Sequence, residues 1–181
     1  MKTKILKLSM IILLFSFFAA GSCEKENEEP QLPPVTQTGA GTFGCLVNEE
    51  VWNSEPLLFG SPLGASNNQW EDKRWIIDAV GNDYTIILEI CKDSVINGKS
   101  ILKGISEEGC SNGTVHRKNS HSGISTFRTS NNSIGEILIT NYDTINEIIA
   151  GTFYFDAFNS SGEKIEIRDG RFDVKFINYE P

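Results

Sequence analysis

Apolar and polar residues alternate through several short stretches of this chain. Residues 73–80 and Tyr84–Cys91 form the clearest pair, and Gly81-Asn82-Asp83 separates them. Successive side chains of a strand point to opposite faces, so a period of two predicts a half-buried antiparallel hairpin. In its second arm, one face carries Tyr84, Ile86, Leu88 and Ile90, and the other carries Thr85, Ile87, Glu89 and Cys91.

The same alternation returns near the C-terminus. Two runs, residues 164–168 and 171–177, are joined by Asp169-Gly170, a dipeptide common in tight hairpin turns. We therefore predict a pair of adjacent antiparallel strands that turns at Asp169-Gly170. Its predicted buried side chains are Phe153, Phe155, Ile165, Ile167, Phe172, Val174 and Phe176.

Short strand-like runs separated by turn residues fill residues 42–178, and no stretch sustains a helical period. Near the start, Cys45 alternates with Phe43 and Val47, which predicts a small buried side chain. About ten short strands with little helix predict an all-β domain, either an antiparallel β-sandwich or a closed barrel. The length of residues 42–178 suits one such domain and is too short for two.

The first 22 residues differ from this domain in composition. Lys2, Lys4 and Lys7 precede an apolar run at residues 10–20. That run has the length of a signal-peptide core and is too short to cross a bilayer as a helix. Residues 1–22 are therefore predicted to be an export signal.

Cys23 follows this run directly, after the small residues Gly21 and Ser22. The arrangement resembles a bacterial lipobox, in which the cysteine is acylated and the chain is cut before it. Ala20 stands where that pattern usually has Leu, and an ordinary secretory signal is the alternative. The resemblance implies a lipoprotein signal peptide and a membrane anchor on Cys23, since several acyl chains hold a protein stably.

Residues 23–41 are predicted to be a lipidated, acidic and Pro-rich tether. The acidic run at residues 24–29 resembles the export signal that sends Bacteroidetes-type lipoproteins to the outer face of the outer membrane. Pro30, Pro33 and Pro34 favour extended backbone, which would hold the domain away from the membrane. We expect an outer-membrane lipoprotein exposed at the cell surface.

The net charge of the chain limits the classes of partner that it can bind. The formal net charge is −8, and removal of the three leader lysines lowers it to −11. Nucleic-acid binding requires a clustered cationic surface, so nucleic acid is excluded. A glycan or a protein partner stays open.

Cysteines and one tryptophan supply the candidate sites. Exported proteins meet an oxidising compartment, so we predict a disulfide between Cys91, at the end of a strand-like run, and Cys110, in a polar turn. Trp70 lies in a polar loop, where its ring is a candidate contact for a sugar face. The alternative is that Trp52, Trp70 and Trp75 all close the end of the sheet.

No catalytic, metal or cofactor site is predicted. His116 and His121 lie in a polar stretch without a third ligand, and no Cys-x-x-Cys spacing is present. The sequence also lacks a Gly-x-Ser-x-Gly nucleophile motif, a dinucleotide-binding motif and a phosphate-binding loop.

Two segments together resemble one family. They are GTFGCLVNEEVW, after the tether, and IIAGTFYFDAFNSSGEKIEIRDGRFDVKF, near the C-terminus. They are similar to a family of uncharacterised Bacteroidetes-type surface lipoproteins with a single all-β domain. The chain departs from that family's pattern at Glu49-Glu50, where Asn-Gly is commoner. The resemblance implies a fold and a location, and it transfers no catalytic residue.

We expect a membrane-anchored lipoprotein with a non-catalytic binding or structural β-domain. The first alternative is an accessory lipoprotein that binds a glycan or another small ligand. The second is a hydrolytic enzyme, for which the sequence shows no motif.

Overall fold

Antiparallel strands make up most of the described chain. The structure, a computed structural model, describes residues 30–55, 63–67, 74–102, 111–119 and 123–177. No helix in this part is long or apolar enough to cross a membrane. The strands are β1 (Thr42–Val47), β2 (Glu50–Asn53), β3 (Leu63–Asn67), β4 (Arg74–Val80), β5 (Tyr84–Cys91), β6 (Lys99–Ile101), β7 (Asn112–Asn119), β8 (Gly123–Arg128), β9 (Gly135–Asp143), β10 (Ile148–Phe158) and β11 (Lys164–Lys175), and the helix is α1 (Lys92–Asn97).

All eleven strands belong to one sheet that folds over on itself. Its order is β2-β1-β11-β10-β8-β7-β5-β4-β3, while β9 pairs with β10 and β6 pairs with β9. The long strand β10 joins the two halves, because it pairs with β9 over most of its length and with β8 at Phe158. The prediction of an all-β fold is confirmed, and the sheet is an open one, consistent with a sandwich.

The core lies between the two halves of this sheet. In β5, Ile86, Leu88 and Ile90 are buried as their spacing predicts, and they pair across to β4. From the opposite half, Phe155 packs against Gly113 of β7. Trp75 of β4 meets the ring of Phe176 edge-on, with centroids 4.7 Å apart.

Asp169-Gly170 forms a β-bulge, so the predicted hairpin turn at this position is wrong. Strand β11 runs through both residues and pairs with β10 on either side of them. Two residues, Arg168 and Asp169, stand opposite the single residue Tyr154, which is the definition of a bulge. The seven side chains predicted to be buried around this point are all buried.

The actual turn between β10 and β11 lies at residues 159–163. There, the Asn159 side-chain oxygen accepts hydrogen bonds from the backbone N–H groups of Ser161 and Glu163, at 3.0 and 2.9 Å. Asp-Gly suits a turn and a bulge equally, since both accept a residue with positive φ. Asp169 has a φ of 48°.

Residues 30–41, assigned above to the tether, lie along the surface of the sheet. The Asn53 amide donates to the Gln31 carbonyl at 2.9 Å, and Arg171 donates to the Pro33 carbonyl at 3.4 Å. This part of the chain is attached to the domain, which therefore begins earlier than the predicted residue 42.

Asp173 holds this segment in place. Asp173 as a whole residue is 1% exposed, and its carboxylate accepts hydrogen bonds from the Thr36 hydroxyl at 2.6 Å and the Gly39 N–H at 2.7 Å. The N–H groups of Thr38 and Ala40 donate to it as well. Burial raises the pKa of Asp173, but these hydrogen bonds together outweigh burial and hold the pKa below its usual range.

The aromatic cluster gives the first testable prediction. Phe172 is 2% exposed, and its ring lies 6.4 Å from Phe43 and 6.3 Å from Phe153, centroid to centroid. Phe172→Ala should lower the free energy of unfolding by roughly 3–5 kcal/mol, because it removes a large side chain and leaves a cavity. Chemical denaturation measures this loss. Ile145→Ala is the control, since Ile145 is 90% exposed, and an equal loss there would contradict the assignment.

Asp173 gives a second prediction, which concerns pH. Asp173→Asn should lower the free energy of unfolding by roughly 1–3 kcal/mol near neutral pH, where the wild-type carboxylate is charged. Because the folded pKa lies below the unfolded one, this contribution is present above the unfolded pKa and is lost as pH falls through the folded pKa. Urea unfolding at a series of pH values should therefore show the two proteins converging in acid.

The control for this series is Asp83→Asn, since Asp83 is an exposed residue of the β4–β5 turn. A difference between wild type and Asp173→Asn that stays constant down to about pH 2 would contradict the proposed role of the carboxylate.

Candidate functional site

An open groove with a volume of about 650 Å³ crosses the outer face of the sheet. We call it the outer groove. Leu46 of β1, Leu138 of β9 and Tyr154 of β10 contribute to its surface, and Val35 of the N-terminal segment lines it as well. Strand β11 adds residues 168–171, so four strands and the attached segment build the groove together, from residues more than a hundred positions apart in the sequence.

Tyr154 is the aromatic residue most exposed to this groove. Its neighbours Phe153 and Phe155 point into the core, so the alternation of the strand directs Tyr154 outward, where it is 40% exposed. The bulge in β11 lies directly opposite Tyr154 and brings Asp169 to the rim of the groove. An exposed ring offers a flat apolar surface with a polar hydroxyl at one end.

Two carboxylates at the rim sit on unusual backbone. Glu49 has a φ of 72° in the β1–β2 turn, and Asp169 has a φ of 48° in the bulge. Left-handed backbone costs a residue with a side chain roughly 1–2 kcal/mol. Neither carboxylate makes a hydrogen bond or ion pair with the described part of the chain. Both stay available to a ligand.

The basic groups of the groove are already engaged by the protein. Arg168 donates to Asp156 at 2.6 Å and to the Ile167 carbonyl at 2.8 Å. Arg171 donates to the carbonyl of Asp169 at 3.2 Å. These contacts hold the guanidinium groups in fixed positions beside the ring and the free carboxylates.

On the β9 side of the groove, the lining residue Glu136 forms a salt bridge. Glu136 accepts from Lys99 of β6 at 2.7 Å. This hydrogen bond and the charge of Glu136 raise the pKa of Lys99, so the ammonium stays charged in the physiological range. The groove thus combines one ring with charges of both signs, which suits a neutral polar ligand that has one apolar face.

Three of the residues singled out from the sequence, Cys23, Trp70 and Cys110, lie outside the described residues. The lipidation of Cys23, the sugar contact at Trp70 and the pairing of Cys110 stay predictions. Cys91 is disulfide-bonded. Cys45 is free and buried as its spacing predicts, and burial raises the pKa of its thiol.

Two of the three tryptophans belong to the core. Trp52 and Trp75 are buried in the same hydrophobic cluster, and Trp52 packs edge-on against Phe43 with centroids 6.1 Å apart. These two side chains are structural, while Trp70 lies outside the described residues.

His116 takes part in a cross-strand contact. Its Nδ1 lies 2.9 Å from the hydroxyl of Thr126 in the adjacent strand. Desolvation and the nearby charge of Arg128 lower the pKa of His116. His121 lies outside the described residues, and the described residues contain no group of three His, Cys, Asp or Glu side chains that could hold a metal ion.

Sequence reasoning did not identify the outer groove. The alternation around Tyr154 predicts that it points outward, but that pattern predicts structure and not a site. One usable signal was the pair of turn-type positions occupied by acids, Glu49 and Asp169. The positive φ of Glu49 belongs to the two-residue β1–β2 hairpin, whereas that of Asp169 becomes apparent only when the register of β11 against β1 and β10 is known.

Comparison with known proteins found no relative of this chain. No family model, no curated protein sequence and no solved structure matches this chain.

Proposed function

We propose that this protein is an outer-membrane lipoprotein, anchored through Cys23 and exposed at the cell surface, whose β-domain binds a ligand without catalysis. The outer groove is the observation that carries the proposal. Its volume of about 650 Å³ lies within the range of small-molecule sites. An exposed ring and two free carboxylates, held at a cost in backbone energy, support a role in binding, since strained backbone concentrates at functional sites.

The lipobox resemblance and the attached N-terminal segment support the anchoring half of the proposal. Six residues lie between Cys23 and Pro30, where the described chain begins, which makes seven Cα–Cα steps. Fully extended, they span at most about 25 Å. Since residues 30–41 are fastened to the sheet and Val35 lines the groove, an anchor on Cys23 would keep the groove close to the membrane surface.

The anchoring is tested by replacing the acylated residue. Cys23→Ala should abolish labelling with radioactive palmitate and leave an uncleaved or soluble species, because acylation and cleavage both require the cysteine and the acyl chains supply the membrane affinity. Cys45→Ala is the control, since Cys45 is buried inside the domain. Continued palmitate labelling of the Cys23→Ala protein would exclude Cys23 as the anchor.

A glycan is the ligand class that the outer groove favours. A pyranose ring has an apolar C–H face, which can stack on Tyr154, and hydroxyl groups, which can bond to acceptors such as Glu49 and Asp169. This agrees with the alternative of an accessory glycan-binding lipoprotein, with Tyr154 as the stacking residue.

A microarray of neutral oligosaccharides tests this specificity on the full-length protein. For the oligosaccharides bound by wild type, Tyr154→Ala should weaken affinity at least about tenfold, or roughly 1.4 kcal/mol. Tyr154→Phe should bind nearly as well, because it keeps the ring. Ile134→Ala is the control at an exposed apolar residue outside the groove lining.

Two results would contradict the proposal. If Tyr154→Ala bound every oligosaccharide as tightly as wild type, the groove would not be the glycan site. If a bound oligosaccharide were cleaved by the wild-type protein, the domain would be a hydrolase instead.

A further inference from the structure

Strand β8 has one edge that the rest of the described chain leaves almost unpaired. Its opposite edge pairs with β7 along the whole strand, from Gly123 to Arg128. On the open side, Arg128 alone pairs with β10, opposite Phe158. Residues 123–127 therefore present a free sheet edge within the part of the chain that the structure describes.

The register shows which backbone groups face this edge. The Thr129 N–H donates to the Gly113 carbonyl at 3.0 Å, on the β7 side. Hydrogen bonding alternates along an antiparallel pair, so Ile124 and Thr126 direct their N–H and C=O groups away from β7. The backbone N–H of Lys118, which stands opposite Ile124, donates to the Asp83 carbonyl and so also points away from β8. The open edge thus offers two donors and two acceptors in strand geometry.

A depression of about 670 Å³ lies along the same edge. Ile124, which is 66% exposed, and Phe158 supply its apolar surface. The polar residues Ser125, Thr126 and Ser130 also line it. The depression therefore has room for a few residues of extended chain, with both apolar and hydrogen-bonding contacts.

The charge of the depression indicates what kind of chain fits. Arg128 is the only charged side chain among the described residues that line it. The Arg128 side chain makes no ion pair with the described residues, and its positive charge reaches His116. Two other cations lie nearby on β7: Arg117 is engaged in a salt bridge with Glu163 at 2.8 Å, and the Lys118 ammonium donates to the Gly81 carbonyl at 3.0 Å. An acidic side chain on the partner would compensate Arg128.

We propose that the free edge of β8 is a docking site for an extended acidic peptide segment of a partner protein, which adds to the sheet as a further strand. The backbone groups of Ile124 and Thr126 supply sequence-tolerant hydrogen bonds, as in other cases of strand addition. Arg128 selects for a Glu or Asp on the added strand. This surface is separate from the outer groove and does not depend on the function proposed for it.

Hydrogen exchange of the full-length protein tests the proposal directly. The probe is a library of acetylated, amidated nonapeptides with Glu at the centre and Val, Thr, Ser or Ile elsewhere, and a matched library has Lys at the centre. The Glu library should slow exchange of the Ile124 and Thr126 amides and bind at least about tenfold more tightly than the Lys library. Arg128→Glu should invert this preference.

A matched pair of variants separates backbone pairing from side-chain contact. Thr126→Pro removes an N–H that faces the open edge, a position where a sheet tolerates proline, and should weaken peptide binding at least about tenfold. Thr126→Val keeps that N–H and should bind within about threefold of wild type. Circular dichroism tests whether both variants are folded. If Thr126→Pro does not fold, the reversed preference of Arg128→Glu for the Lys library tests the proposal instead.

Three results would overturn the proposal. One is that neither library slows exchange of the Ile124 and Thr126 amides. Another is that folded Thr126→Pro binds the Glu library as tightly as Thr126→Val. The third is protection of these amides that rises with protein concentration in the absence of peptide, because a second copy of the chain would then occupy the edge.

Discussion

Phenylalanine rings of β10 packed against glycines of other strands are the constraint on which the rest of the structure depends. A Cβ atom on Gly170 would lie 2.5 Å from the ring of Phe153, and one on Gly113 would lie 2.9 Å from the ring of Phe155. The rings fill the space between the two halves of the sheet only because these positions have no side chain. Gly170 also follows Asp169 in the bulge of β11, so the core packing and the bulge depend on each other. The bulge in turn brings the Asp169 carboxylate to the rim of the outer groove.

A second constraint connects the N-terminal segment to the domain. Asp173 collects hydrogen bonds from residues 36–40, although 137 positions separate it from Thr36. A buried carboxylate is costly unless donors surround it, and here the hydroxyl and backbone N–H groups of the segment are those donors. Residues 36–40 therefore stabilise the negative charge of Asp173, and the same hydrogen bonds attach these residues to the domain. Because Val35 belongs to this segment, the wall of the outer groove depends on the same interaction.

The two proposed binding surfaces differ in their chemistry. The outer groove has a ring, free carboxylates and fixed arginines, which suits a compact polar ligand. The edge of β8 offers backbone hydrogen bonds and one uncompensated cation, which suits an extended chain. A strongly acidic protein would repel an acidic partner over most of its surface, so a local positive group such as Arg128 can direct that partner to one place.

The amino-acid sequence by itself determined the all-β class and the buried faces of strands such as β5 and β10. The period of two along β5 and β10 identified Ile86, Leu88, Phe153 and Phe155 as core residues, since alternation is a local property of extended chain. Tertiary structure alone decided that Asp169-Gly170 forms a bulge, because the dipeptide suits both geometries and the pairing with β1 and β10 selects one. It alone also decided the partners of Asp173 and the position of Tyr154 in a groove. Those features join residues far apart in the chain, and their contacts exist only when the register between distant strands is set.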